Sequence, residues 1–149
     1  MSNTGLDVFD RTLQKTNSLL KELGEELHWE DRHDVYMALR ASLHALRDRL
    51  PPEEAAKLAS QLPLLVKGTF YDGWRPGATP VKVRDRQGFL DMVRKELAPA
   101  RPNANAEHVA TAVFRVLTRH VSDGEWEDVR RTVPEAIREL LPARPQLTE

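Results

Sequence analysis

The sequence has no cysteine. That excludes disulfides, thiol catalysis, iron–sulfur clusters and cysteinyl zinc sites. It fits a reducing compartment. There is no surplus of one charge either: 22 Lys+Arg stand against 23 Asp+Glu, a formal net charge of −1. A protein held on nucleic acid by counterion release carries a clear basic excess, and an acidic disordered chain is lopsided the other way. Long apolar runs are missing too. None approaches the roughly 20 residues that a membrane helix needs. The opening stretch, MSNTGLDVFDRTLQ, lacks the basic and then apolar pattern of a secretory signal. The expectation is a soluble cytoplasmic protein with no membrane partner. Aromatics make up only 6% of the chain, so the places where they gather carry information.

What is present is helical periodicity, cut at regular points by ten prolines and seven glycines. The 149 residues suit a single domain. A chain of this size buries roughly 70% of its unfolded surface, enough for a core without a metal or a disulfide. Leu6, Phe9, Leu13, Thr16, Leu20, Leu23 and Leu27 recur at steps of three and four. That is one amphipathic helix, facing either the core or a coiled-coil partner. Val35, Leu39, Leu43, Leu46 and Leu50 mark a second, with acids in its first turns and arginines in its last, matching the helix dipole. Pro51 and Pro52 stop it and start a short third, with Ala55, Leu58 and Leu62 inward. Pro63 restarts the chain for one or two turns. A loop over 70–85, rich in aromatics, glycine and proline, follows. Helix resumes near Arg86 with Phe89, Leu90, Val93 and Leu97. A sixth helix, capped by Asn103 or Asn105, is apolar over a wide arc from Val109 to Val121, which predicts a central position. Ser122 and Glu125 have capping-box spacing. Trp126, Val129 and Val133 follow, then Pro134 and a last piece ending near Leu141. The tail, 142–149, reads as frayed.

A shift of 71 residues superimposes the two halves. Leu43, Leu46, Leu50, Leu58, Leu62 and Val66 fall on Phe114, Leu117, Val121, Val129, Val133 and Ile137. Ala41, Leu46, Glu54 and Pro63 fall on identical residues. The first helices pair at a different offset, Phe9 with Phe89 and Leu13 with Val93. A helical unit that cannot bury its own face is stabilised by packing on a copy of itself. The expected fold is all-α: a helical bundle of two pseudo-symmetric multi-helix repeats, about 6–70 and 86–141, sharing one core.

The run from Ala38 to Trp74, with LHALRDRLPPEEAAKLASQLPLLVKGTFYDGW at its end, resembles the bacterial domain of unknown function 2267 family. The run from Phe114, FRVLTRHVSDGEWEDVRRTVPEAIRELL, matches that family's repeated element. The resemblance covers about Val8 to Leu141. It implies a small duplicated helical domain in a bacterial cytoplasm and brings no activity with it.

Motifs for chemistry are sparse. His28, Glu30, Asp31, His33 and Asp34 crowd together, but the two histidines are five apart and fall on different sides of a helix. They read as a polar helix start. His108 and His120 are too far apart for one ion. Ser42 and His44 do not face each other, and there is no G-x-S-x-G or Walker-type loop. No catalytic, metal or cofactor residues are assigned. Two candidates for recognition remain. Arg40, His44 and Arg47, at steps of four and three, form a basic face that can meet an anion, although a solvated, salt-bridged face is the plainer reading. Phe70, Tyr71, Trp74 and Arg75 put three aromatics and an arginine in one irregular segment, the residue types that anchor interfaces. The plainer reading is that this segment plugs the groove between the halves. The function expected is a noncatalytic helical protein-interaction or scaffold module, binding a protein partner or itself. The alternative is a nucleic-acid or anion-binding regulatory domain.

Overall fold

The computed structural model describes residues 3–143, and the tail expectation falls outside them from residue 144 onward. The fold is all-α, with no strand among the described residues. The helices are α1 (Asp7–Leu27), α2 (Arg32–Asp48), α3 (Pro52–Ala59), α4 (Leu64–Tyr71), α5 (Arg86–Leu97), α6 (Ala106–Leu117), α7 (Asp123–Thr132) and α8 (Glu135–Arg138). A 3-10 turn at Pro76–Ala78 interrupts the link between α4 and α5.

Two devices start most of these helices. Asp31, Asp85, Asn105 and Ser122 each accept a hydrogen bond from the amide three residues on, satisfying a donor the helix cannot. Asn105, not Asn103, is the cap of α6. α3, α4 and α8 begin instead behind Pro51, Pro63 and Pro134, whose fixed φ presets the turn. Pro63 and Pro134 have nearly the same backbone angles, φ −55 ψ 150 and φ −57 ψ 150.

α2 and α6 form the middle. α6 buries Val109, Ala110, Val113, Phe114, Val116 and Leu117, as its wide apolar arc predicts. α2 is covered on more sides than its leucine stripe suggests, because α1, α4, α5 and α6 all pack on it. Its His44 and Arg47 are buried with the leucines. Phe89, Phe114 and Trp126 link α5, α6 and α7 in a chain with ring centroids 6.2 Å apart at each step. The Trp126 indole N–H donates to the Pro142 carbonyl at 2.8 Å.

α1 departs from its expected stripe. Its buried row is Thr12, Leu19, Leu23 and Leu27, while Leu6 and Phe9 are exposed and Leu13 and Leu20 only half-buried. The stripe is continuous in sequence, but only the second half of α1 lies against α2 and α6. α4 is also longer than expected. It carries Phe70 and Tyr71 in its last turn, with Gly68 inside the helix, so the irregular segment begins at Asp72. Burial of Phe70 outweighs the glycine's poor helix propensity.

Gly24 marks a close approach. A Cβ there would sit 3.2 Å from the Trp29 carbonyl, where the chain turns back after α1. That turn uses His28 in the left-handed region at φ 60, and the Trp29 amide bonds the Gly24 carbonyl at 3.0 Å. A side chain at this position carries a steric cost of roughly 1 kcal/mol that glycine avoids. His28→Gly is therefore expected to raise unfolding stability by about that amount in urea, without changing the slope of the transition.

Candidate functional site

The two groups of residues singled out in the sequence converge on one place. The cation stripe of α2 lies against the carbonyl end of α4. The His44 Nε2 is 2.7 Å from the Thr69 carbonyl. Arg47 donates through Nη1 to the carbonyls of Phe70 and Asp72, each at 2.9 Å, and through Nε to Asp48 at 2.8 Å. Arg40 donates to the Asp72 carboxylate at 2.7 Å and to Glu96 of α5 at 3.0 Å. The last carbonyls of a helix carry partial negative charge and lack partners within the helix, and here three α2 side chains serve that end.

Glu96 closes the cluster from α5, with Oε2 at 2.8 Å from His44 Nδ1. Both ring nitrogens of His44 thus face oxygens. Burial raises the Glu96 carboxyl, but the hydrogen bond from His44 and the charges of His44, Arg40 and Arg47 outweigh it and hold the group below its ordinary 4.5. Asp72, bonded by Arg40, is lowered as well.

Phe70 is fully buried, not part of a surface. It meets Tyr71 edge-on at 5.5 Å, and Tyr71 stacks obliquely on Trp74 at 5.2 Å. Tyr71 and Trp74 are half-buried against the core, and the Trp74 indole N–H is buried without a partner. Arg75 is exposed. With Arg47, Asp48 and Thr79 it lines a cleft of about 120 Å³. The link beyond is pinned by Val81, whose amide donates to the Asp48 carbonyl at 2.8 Å and whose carbonyl accepts from Arg49.

A second cluster lies where α3 meets α7. Glu54, Glu125 and Asp128 bring carboxylate oxygens within 4.8 Å of one another. The Lys57 Nζ is 3.1 Å from Asp128, 3.6 Å from Glu125 and 3.8 Å from Glu54. Glu125 is 94% buried, the complement of its 6% exposure. Burial first, then contact with Glu54, pushes its carboxyl up to about 8. The expected capping box is only half made. The Glu125 amide donates to Ser122 Oγ at 3.2 Å, but the Ser122 amide donates to Gln61 Oε1 of the neighbouring segment at 2.7 Å. Glu125 is thereby released to turn toward α3. Motif spacing missed this cluster, yet the 71-residue shift had already set Glu54 on Glu125. The crowd from His28 to Asp34 forms no ligand set within coordination reach, and its Asp34 instead pairs with Arg101 at 2.8 Å.

Two outcomes test the α2–α4 cluster. Arg47→Ala strips buried carbonyls of their donor and opens a cavity, so a loss of about 3 kcal/mol is expected in urea unfolding. For Glu96 the sign follows from its lowered value. The stability it lends is complete above 4.5 and is lost as pH falls through its folded value. The melting temperature of the wild type should therefore drop more steeply below pH 4.5 than that of Glu96→Gln.

No curated protein matches the sequence. The family model described as an uncharacterized conserved protein (DUF2267) matches residues 16–140. That span takes in both clusters and the chain from the middle of α1 to the end of α8. The chain belongs to the DUF2267 family.

Proposed function

We propose that this protein is a noncatalytic helical interaction module, built from two related helical units around one core, that associates with a second copy of itself. The observation that carries the reading is where large apolar side chains are exposed. Leu6, Val8 and Phe9 at the start of α1, and Leu64 and Leu65 at the start of α4, are 44–59% exposed. The two helix starts adjoin, since the Leu65 amide donates to Thr12 Oγ1 at 3.1 Å. Between them Val8, Thr12, Leu62 and Leu64 line a depression of about 270 Å³. Its rim carries Asp7 beside Arg11 and Lys15. Mixed rim charge suits a self-complementary contact, in which the same patch meets itself.

The duplication supports the same reading. α1 packs on α6 as α2 packs on α5, and α3 meets α7. The ion pairs are exchanged between the halves: His44 of α2 reaches Glu96 of α5, and Arg115 of α6 reaches Glu26 of α1 at 2.7 Å. The buried Leu19, Leu23 and Leu27 of α1 correspond to Phe89, Val93 and Leu97 of α5 at an offset of 70, which replaces the pairing of Phe9 with Phe89. On that offset the first unit begins at residue 16, opposite Arg86, where the family match also begins. The exposed end of α1 is then an extension outside both, free to serve contact without disturbing the core.

Anion or nucleic-acid binding through Arg40, His44 and Arg47 is the weaker reading, because those groups are already bonded to Asp72, Glu96 and the α4 carbonyls. A cytoplasmic setting belongs to the leading reading and rests on the absence of cysteine. Sedimentation velocity across a hundredfold range of concentration is the test. The wild type should shift toward dimer, and Phe9→Ser with Leu65→Ser should remain monomeric at unchanged melting temperature. A wild type that stays monomeric throughout overturns self-association.

A further inference from the structure

The three carboxylates between α3 and α7 are unevenly served by the cations beside them. Only Asp128 lies within hydrogen-bond distance of Lys57 Nζ, and at 3.6 Å and 3.8 Å the two glutamates do not. Oε2 of Glu54 and Oε2 of Glu125 are buried and have no hydrogen-bond partner. A buried carboxylate oxygen left unpaired is costly, and burial of this kind ordinarily goes with a counter-ion or a metal. Arg131 holds the other oxygen of Asp128 at 2.9 Å and leaves the inner one directed at the cluster.

We propose that Glu54, Glu125 and Asp128 form a binding site for a hard divalent cation, calcium in preference to magnesium, with Lys57 as the resident ammonium that the ion displaces. The donor set is all oxygen, which suits calcium or magnesium and not the softer metals that seek nitrogen or sulfur. Coordination geometry separates those two. Calcium accepts oxygens in a flexible, irregular arrangement, whereas magnesium demands a near-ideal octahedron. Three carboxylates from two helices, with atoms within 4.8 Å of one another, suit the more tolerant ion. Lys57 is more than half exposed, so its side chain can swing into solvent. Asp128 is partly exposed as well and leaves the outer positions open to water. With Lys57 and Arg131 both against Asp128, neither glutamate has a cation within hydrogen-bond distance, and a divalent ion supplies one.

Calorimetric titration of the full chain with calcium chloride at pH 8, with ionic strength held constant by sodium chloride, tests the site. The expected result is one calcium per chain, bound at least threefold more tightly by Lys57→Met and at least tenfold more weakly by Glu125→Gln. Magnesium chloride should bind more weakly than calcium. Glu125→Gln is isosteric at a buried position and is expected to fold, which far-ultraviolet circular dichroism checks. Asp128→Asn, at an exposed position, serves in its place if it does not. No binding by either the wild type or Lys57→Met overturns the proposal and leaves a shared proton between the glutamates. Calcium binding undiminished by Glu125→Gln, or by Asp128→Asn where that replaces it, overturns it too. Magnesium bound as tightly as calcium overturns the preference for calcium.

Discussion

A buried arginine at the carbonyl end of a short helix holds this fold together. α4 is eight residues long, below the length at which a helix is stable by itself in water. It carries a glycine and ends in an irregular, glycine- and proline-containing link. Its place is fixed by Phe70 in the core and by Arg47, which grips the carbonyls of Phe70 and Asp72. Arg47 can be buried because its hydrogen bonds go to groups that need donors, and because Asp48 beside it supplies a carboxylate. Arg40 and His44 extend the arrangement to Asp72, Thr69 and Glu96. One helix face thereby ties α4, α5 and the start of the link to the middle of the bundle. Such a face offers little to an outside anion, since its charge is consumed internally.

The same arrangement explains what could be read in the sequence and what could not. Leucine spacing in α2 and valine spacing in α6 give the apolar rows correctly, because both helices touch neighbours along their whole length. The caps at Asp31, Asn105 and Ser122 and the restarts at Pro63 and Pro134 are local devices, and local sequence carries them. α1 misleads because periodicity says which residues share a face, not which part of the face is covered. Leu6 and Phe9 continue the pattern of Leu23 and Leu27 but extend beyond the bundle. The basic stripe of α2 misleads for the opposite reason. Steps of three and four among arginine and histidine describe a solvated face and a buried, fully bonded one equally well. Only the position of α4 and α5 over that face decides between them. The aromatic segment divides along its own length: Phe70 in the core, Tyr71 and Trp74 at its edge, Arg75 in solvent.

The shift of 71 residues that sets Glu54 on Glu125 in sequence joins two residues that also meet in space, like against like across the α3–α7 contact. Lys57 and Asp128, the next residues along, also correspond at 71, and there opposite charges meet at 3.1 Å. One pair of corresponding positions thus forms an ion pair, while the pair a turn away carries identical acids. Gln61 completes the difference by taking the Ser122 amide that Glu125 would otherwise serve. Two glutamates set against each other, the buried one drawn away from its capping role, are a conflict between local rule and global packing. A proton shared by the two carboxyls, or a cation held among them, resolves such a conflict without moving either helix.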